Sequence, residues 1–208
     1  RNTSSQRGIL SPQGDVILDP FYDQVGKVGH LFWGKDSLGT VLLDESGKYL
    51  IRSEDGISEV LNYCTGLYMI KKDGKYGFIN EKGNLRIANR YDSLLCFSDE
   101  RFGYKLGNKW GFIDTEERLI VQPIYDQVFP YREGVAVIGQ KGKFGLIDLS
   151  GKPILSLRYV SIDQSLGNYL LEGVNGAIGI ANSSGDIMLW TDYDDIIPIR
   201  GFRRVLSR

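Results

Sequence analysis

Apolar residues in this chain come in short runs separated by turn-forming residues, a pattern of strands rather than helices. Runs such as "GVAVIG" (134–139) and "NYLLEG" (168–173) are followed by "GFIN" (77–80), "GFID" (111–114) or "GLID" (145–148), and then by "LIV" (119–121), "PIL" (153–155) or "IML" (187–189). All are too short for helices and rich in β-branched and aromatic residues. Between the first and second runs stand "KDGKYG", "LGNKWG", "QKGKFG" and "VNGAIG". Their Asp-Gly, Gly-Asn, Lys-Gly and Asn-Gly pairs tolerate positive φ and predict two-residue hairpins. Three or four short strands per unit result, with no obvious place for a helix.

The pattern repeats. "KWGFIDTEERLIVQPIYDQV" (109–128) returns as "KFGLIDLSGKPILSLRYVSI" (143–162). Gly77, Gly111, Gly145 and Gly179 are spaced by 34 residues, as are Tyr91, Tyr125, Tyr159 and Tyr193, so two markers share one period. "RGILSPQGDVILDPFYDQV" aligns with "WGFIDTEERLIVQPIYDQV", Gly8 on Gly111 and Tyr22 on Tyr125. "LGTVLLDESGKYLI" fits with two residues inserted after Gly39. The chain reads as one domain over 1–208 with six units of about 35 residues, near 1–38, 39–72, 73–106, 107–140, 141–174 and 175–208.

A second turn is marked by Gly14, Gly47, Gly83, Gly151 and Gly185, with Glu117 in the fourth unit. Three residues earlier stand Ser11, Asp44, Asn80, Asp114, Asp148 and Asn182, short polar side chains suited to bonding the backbone of the turn that follows. These carboxylates and amides are expected to hold loops rather than ligands. The repeated tyrosines supply one large packing anchor per unit.

The predicted fold is all-β, a six-unit propeller-like ring closed by N- and C-terminal strands. "RGIL" lacks a preceding strand and "FRRVL" (202–206) lacks a following phrase, so pairing them completes a unit and removes exposed edges. The alternative is an open β-solenoid of hairpin repeats with worn terminal units as caps.

The phrase "KWGFIDTEERLIVQPIYDQVFPYREGVAVI" (109–138) resembles the WG repeat, a bacterial β-repeat named for its Trp-Gly pair. The match is good in "KYGFINEKG" and "KFGLIDLSG", recognisable in the first and sixth units and poor in the second. Only Trp110 keeps the tryptophan; Tyr76, Phe144 and Ile178 replace it, which fits an apolar packing position. The resemblance implies bacterial origin, surface or envelope association and no established catalysis, and supplies no ligand.

Composition narrows the partners. The 208 residues, 42% hydrophobic, suffice for a sizeable core. A formal charge of −1 gives no global field to draw in nucleic acid. No run approaches the roughly 20 apolar residues of a transmembrane segment. The first residues lack the apolar core of a signal peptide, and a signal segment removed before Arg1 is compatible with the sequence. Cys64 and Cys96 are the only cysteines, without metal-ligand spacing, and whether they are bonded is open.

Chemistry is sparse. His30 has no base partner or metal spacing around it, and no metal or cofactor is expected. Asp192, Asp194 and Asp195 in "TDYDDI" keep a carboxylate-dependent glycoside hydrolase as a distant reading. Off-repeat aromatics carry more information about function: Trp33, Tyr63, Tyr131 and Trp190 are the candidate partner-binding residues, because flat aromatic faces bind glycans and protein anchors. The leading expectation is a non-catalytic protein-interaction scaffold, extracytoplasmic (periplasmic, outer-membrane associated or secreted). A glycan- or cell-envelope-binding module is the alternative.

Overall fold

The computed structural model describes residues 6–96, 98–165, 167–191, 195–199 and 202–206. Among them there is no α-helix; one 3-10 turn, Ser53–Asp55, interrupts a succession of β-strands. The chain divides into two compact units, residues 1–94 and 95–208.

In the first unit, β1 (Arg7–Leu10) and β2 (Val16–Tyr22) form a two-stranded antiparallel sheet. A four-stranded meander follows: β3 (Gln24–Val28), β4 (Leu31–Lys35), β5 (Thr40–Leu43) and β6 (Tyr49–Ile51). A second meander comprises β7 (Ile57–Cys64), β8 (Leu67–Lys72), β9 (Lys75–Asn80) and β10 (Leu85–Tyr91). The unit ends in β11 (Ser93–Leu94).

The second unit runs through β12 (Arg101–Leu106), β13 (Lys109–Asp114) and β14 (Leu119–Tyr125). Next come β15 (Gln127–Val128), β16 (Val135–Gln140), β17 (Lys143–Asp148) and β18 (Pro153–Tyr159). The sheet of β19 (Ser161–Ser165), β20 (Asn168–Glu172), β21 (Ile178–Ala181) and β22 (Ile187–Thr191) follows. β23 (Asp195–Ile199) and β24 (Phe202–Leu206) make a second two-stranded sheet.

The sheets that begin with β3, β11, β15 and β19 start just after Tyr22, Tyr91, Tyr125 and Tyr159, so the 34-residue period runs from the middle of one sheet to the middle of the next. Tyr91, Tyr125 and Tyr159 are buried at the ends of their strands, opposite Tyr76, Trp110 and Phe144. Tyr193 lies outside the described residues. Two residues on from Trp110, Phe112 pairs with Val121, so four residues of β14 answer two of β13 and the strand bulges. The bulge turns a carbonyl onto Gly111: a Cβ there would sit 2.3 Å from the Val121 oxygen, and at Gly145 2.6 Å from that of Leu155. This close approach explains why the period is marked by glycine.

The core lies between successive sheets. In the second unit Phe112, Val121 and Tyr125 pack with Val128, Tyr131, Ala136, Ile138 and Ile147, while Leu146, Leu155 and Tyr159 pack with Ile162, Tyr169 and Leu171. In the first unit Leu31, Leu42 and Ile51 meet Ile57, Tyr68, Ile70 and Ile79. Each fully buried aromatic or branched side chain contributes about 1.5–3 kcal/mol, which no unit could gain from one sheet face alone.

The second turn is the most regular feature. Ser11 Oγ and the Oδ1 atoms of Asp44, Asn80, Asp114, Asp148 and Asn182 each accept hydrogen bonds from the amides two and four residues ahead. Glu117, standing for glycine, adopts a φ of 59°.

Three predicted hairpins have two-residue loops, at Asp73-Gly74, Gly107-Asn108 and Lys141-Gly142. The fourth differs: Glu172 pairs with Ile178, leaving a five-residue loop. There the Gly173 amide donates to the Ala177 carbonyl, and the Asn175 Oδ1 accepts from the Ala177 amide, which draws Ala177 out of the ladder. Both cysteines, Cys64 and Cys96, are disulfide-bonded.

Candidate binding site

The sheet β19–β22 departs from the sheets that end in β10, β14 and β18 at the point where those bulge. Gly179 pairs directly with Trp190, between Ile178–Thr191 and Ile180–Leu189, and the one register shift of β22 falls further along, between Ile180–Leu189 and Ala181–Ile187. The space that a carbonyl fills at Gly111 and Gly145 is taken here by an indole: a Cβ on Gly179 would lie 2.0 Å from Trp190 Cε3, and one on Gly173 3.1 Å from Cζ2. Two glycines thus seat one face of the Trp190 ring, and the residue remains 45% exposed.

Trp190 forms one wall of an open cavity of about 460 Å³ shared with Arg158, Tyr159, Gly173, Val174, Asn175 and Ile187. The Tyr159 ring lies 6.2 Å from the indole, centroid to centroid. Arg158 Nη2 donates to Tyr159 Oη at 2.9 Å, and its guanidinium carbon stands 5.1 Å from the Tyr159 ring centre. This orients the guanidinium over the ring, and no carboxylate pairs with Arg158 among the described residues. Asn175 spends its Oδ1 on the Ala177 amide, leaving Nδ2 for a ligand. Val174 and Ile187 are exposed aliphatic walls, and Met188 and Leu189 extend the apolar surface along β22.

Of the four aromatics expected from sequence, Trp33 and Tyr63 belong to the first unit and Tyr131 and Trp190 to the second. Trp33 is half-buried against the first unit's core. Tyr63 is partly exposed, with its ring edge-on to His30 at 6.0 Å and tilted against Tyr68 at 5.0 Å. Tyr131 is no surface residue: it is fully buried, its ring edge-on to Phe112 at 4.8 Å and its hydroxyl donating to the Asp148 carbonyl. Burial drives its phenol pKa up. It joins the core because residue 131 sits in the crossing between β15 and β16, over the neighbouring turn. Of the four, Trp190 is the one that lines the cavity described.

Elsewhere, a cleft of about 390 Å³ runs between Phe129, Arg132 and Phe144 on one side and Ser161, Asp163 and Tyr169 on the other. His30, Asp44, Glu45 and Glu81 surround another open pocket, where His30 Nδ1 is 3.9 Å from Glu45. No group of three metal-ligating side chains is present among the described residues. Asp192 and Asp194 lie outside the described residues, as does the Asp195 side chain.

The repeat-position carboxylates are ionised turn holders. Ser150 holds Asp148 below the usual carboxylate range and Ser46 does the same for Asp44. Burial pushes Asp114 up, but its bonds to the Arg118 side chain and to the Arg118 and Glu116 amides outweigh this and bring it down. Lys109 lowers Asp126, and the matching Lys75–Asp92 pair recurs one period earlier. Sequence reasoning overlooked that pairing, although Lys and Asp stand 17 residues apart in both copies. It also overlooked Arg158, Val174 and Asn175, whose signal is an apolar residue inside the turn sequence "GVNG".

The profile of the WG containing repeat matches residues 76–110 and 110–144, the two most regular periods. Residues 76–144 are two WG repeats. No curated protein matches it in sequence. Among solved structures the WG-repeat chain is similar to a eukaryotic initiation factor (TM-score 0.54, 11% identity, covering 82% of this chain and 56% of that one). It is likewise similar to AztD of Citrobacter koseri (TM-score 0.50, 14% identity, 86% and 62%). The WD40 β-propeller domain of Doa1 is a weaker likeness (TM-score 0.37, 13% identity, 93% and 78%). The first two likenesses concern the fold alone, and the WG-repeat chain spans about three-fifths of those structures.

Proposed function

We propose that this WG-repeat protein is a non-catalytic interaction scaffold of bacterial origin that holds a protein partner outside the cytoplasm. The observation that carries the reading is Trp190, a large aromatic fixed on two glycines with its other face open beside aliphatic walls. Rigid aromatics at the centre of an apolar patch are the usual anchors of protein interfaces. The rest of the repeat supports a scaffold, since Asp44, Asp114, Asp126 and Asp148 are committed to turns and ion pairs and held ionised, the opposite of what a general acid needs. The disulfide-bonded cysteines favour an oxidising compartment, periplasmic or extracellular.

A closed six-sheet ring is part of the proposal. Among the described residues five sheets have four strands, and β1-β2 and β23-β24 have two each, the number that a sixth four-stranded sheet would need. Deleting residues 201–208 tests this: a ring loses stability, whereas an unchanged unfolding midpoint contradicts closure.

Glycan binding is the second reading, favoured by the exposed indole beside the Asn175 amide. The test is capture from an envelope fraction by the immobilised chain. The protein reading predicts capture abolished by protease treatment of the fraction; capture that resists protease and disappears on muramidase treatment contradicts it in favour of the glycan.

A further inference from the structure

The chemistry of the Trp190 groove defines the partner segment more closely, and this inference rests on the scaffold reading above. We propose that the groove receives a peptide segment in which a bulky apolar side chain stands next to a carboxylate.

The two polar side chains facing the cavity, Arg158 and Asn175, both offer donors. The guanidinium is oriented by Tyr159 Oη and lacks a carboxylate partner among the described residues, and Asn175 has only Nδ2 left to give. Two donors converging on one cavity match a carboxylate, which accepts bidentately from arginine. The remaining surface is Trp190, Val174 and Ile187. Aliphatic walls would leave the hydroxyl groups of a sugar without partners, whereas they suit a leucine, phenylalanine or tyrosine side chain. The cavity's volume of about 460 Å³ accommodates a residue of that size together with its carboxylate.

β22 adds a second, independent feature. It ends the sheet order β19-β20-β21-β22, so its outer backbone groups have no strand partner among the described residues. Its run Ile187, Met188, Leu189 and Trp190 is exposed throughout. In β18 the position that corresponds to Leu189, Leu155, is instead buried. An apolar, unpaired edge is the arrangement to which an extended peptide adds as a further strand.

The test uses the full chain and short acetylated peptides of alternating threonine and valine that end in leucine, phenylalanine or tyrosine. Each is made as the free acid, as the carboxamide, and as the carboxamide with an aspartate beside the apolar residue, and binding is followed by titration calorimetry. The expected result is at least tenfold tighter binding of the carboxylate-bearing peptides than of the plain carboxamides. The free-acid and aspartate arms tell whether a chain terminus or an acidic side chain fits better.

Arg158→Gln should abolish the preference, bringing the carboxylate-bearing peptides to the affinity of the plain carboxamides, and Trp190→Ala should abolish binding of both, in variants whose thermal unfolding matches the parent. Equal affinity for acid and amide, a preference that survives Arg158→Gln, or binding of polygalacturonate in place of every peptide would overturn the proposal. If a protease-sensitive partner from the envelope fraction is still captured by both variants, the groove assignment fails and the scaffold reading stands.

Discussion

Trp190 and Gly179 face each other across β21 and β22, and the indole lies where a side chain on Gly179 would have to be: a Cβ there meets Cε3 at 2.0 Å. Gly179→Ala should therefore expel the ring or push the two strands apart, an overpacking penalty of about 1–3 kcal/mol. In a ¹H–¹⁵N spectrum one of the three indole resonances should move, with those of Trp33 and Trp110 unchanged. An unperturbed Trp190 resonance would show that the seat is not as tight as the geometry requires.

The aromatic candidates should separate by burial. Tyr131→Ala removes a fully buried ring and the hydroxyl bond to Asp148, and is expected to destabilise by about 3–5 kcal/mol in urea unfolding. Trp190→Ala, half in solvent, should be markedly milder. Equal losses would mean that Trp190 is a core residue after all.

Acid should weaken the fold through the turn carboxylates. Asp44, Asp114, Asp126 and Asp148 titrate below their ordinary value in the folded state. Their contribution is therefore complete above the unfolded value of about 3.9, and is lost as the pH falls through the lower folded values. Urea midpoints should fall between about pH 5 and pH 2. Asp148→Asn keeps the turn, as Asn80 and Asn182 do in their own sheets, so it should flatten part of that fall without a large loss at neutral pH. An unchanged pH profile in Asp148→Asn would remove the carboxylate from the account.

Reduction should also destabilise. Cys64 and Cys96 are both disulfide-bonded, and loss of a disulfide costs about 2–4 kcal/mol on the chain-entropy view. Thermal unfolding with and without reductant, against a Cys64→Ser, Cys96→Ser double variant, measures it. Identical curves for all three would contradict a stabilising bond.

The repeat was legible because its markers answer to local physics. Glycine at 77, 111 and 145 is fixed by a carbonyl that leaves no room for a Cβ, and the short polar residue at 11, 44, 80, 114, 148 and 182 by the amides of its own turn. Both constraints act within one sheet and therefore show up as spacing. The site was legible in one residue only. Trp190 stood out as an aromatic outside the repeat, but Tyr131 stood out equally and is core, because burial between sheets depends on neighbours a whole period away. Arg158 was hidden by its resemblance to Arg90, which precedes the repeated tyrosine in the same way. What sets it apart is the widened loop at 173–177 and the flat pairing of Gly179 with Trp190. Both are departures from the period, so they cannot be inferred from the other copies.

The most direct test of whether the partner is held at Trp190 is site-specific photo-crosslinking in an envelope fraction. A benzophenone amino acid is placed at Val174, 72% exposed beside Trp190, and in a separate variant at Leu38, 79% exposed on the first unit. The account predicts a discrete protein adduct from position 174 that is absent from position 38 and lost when Trp190→Ala is added. Adducts from position 38 alone, or adducts from 174 that are indifferent to Trp190, would contradict it.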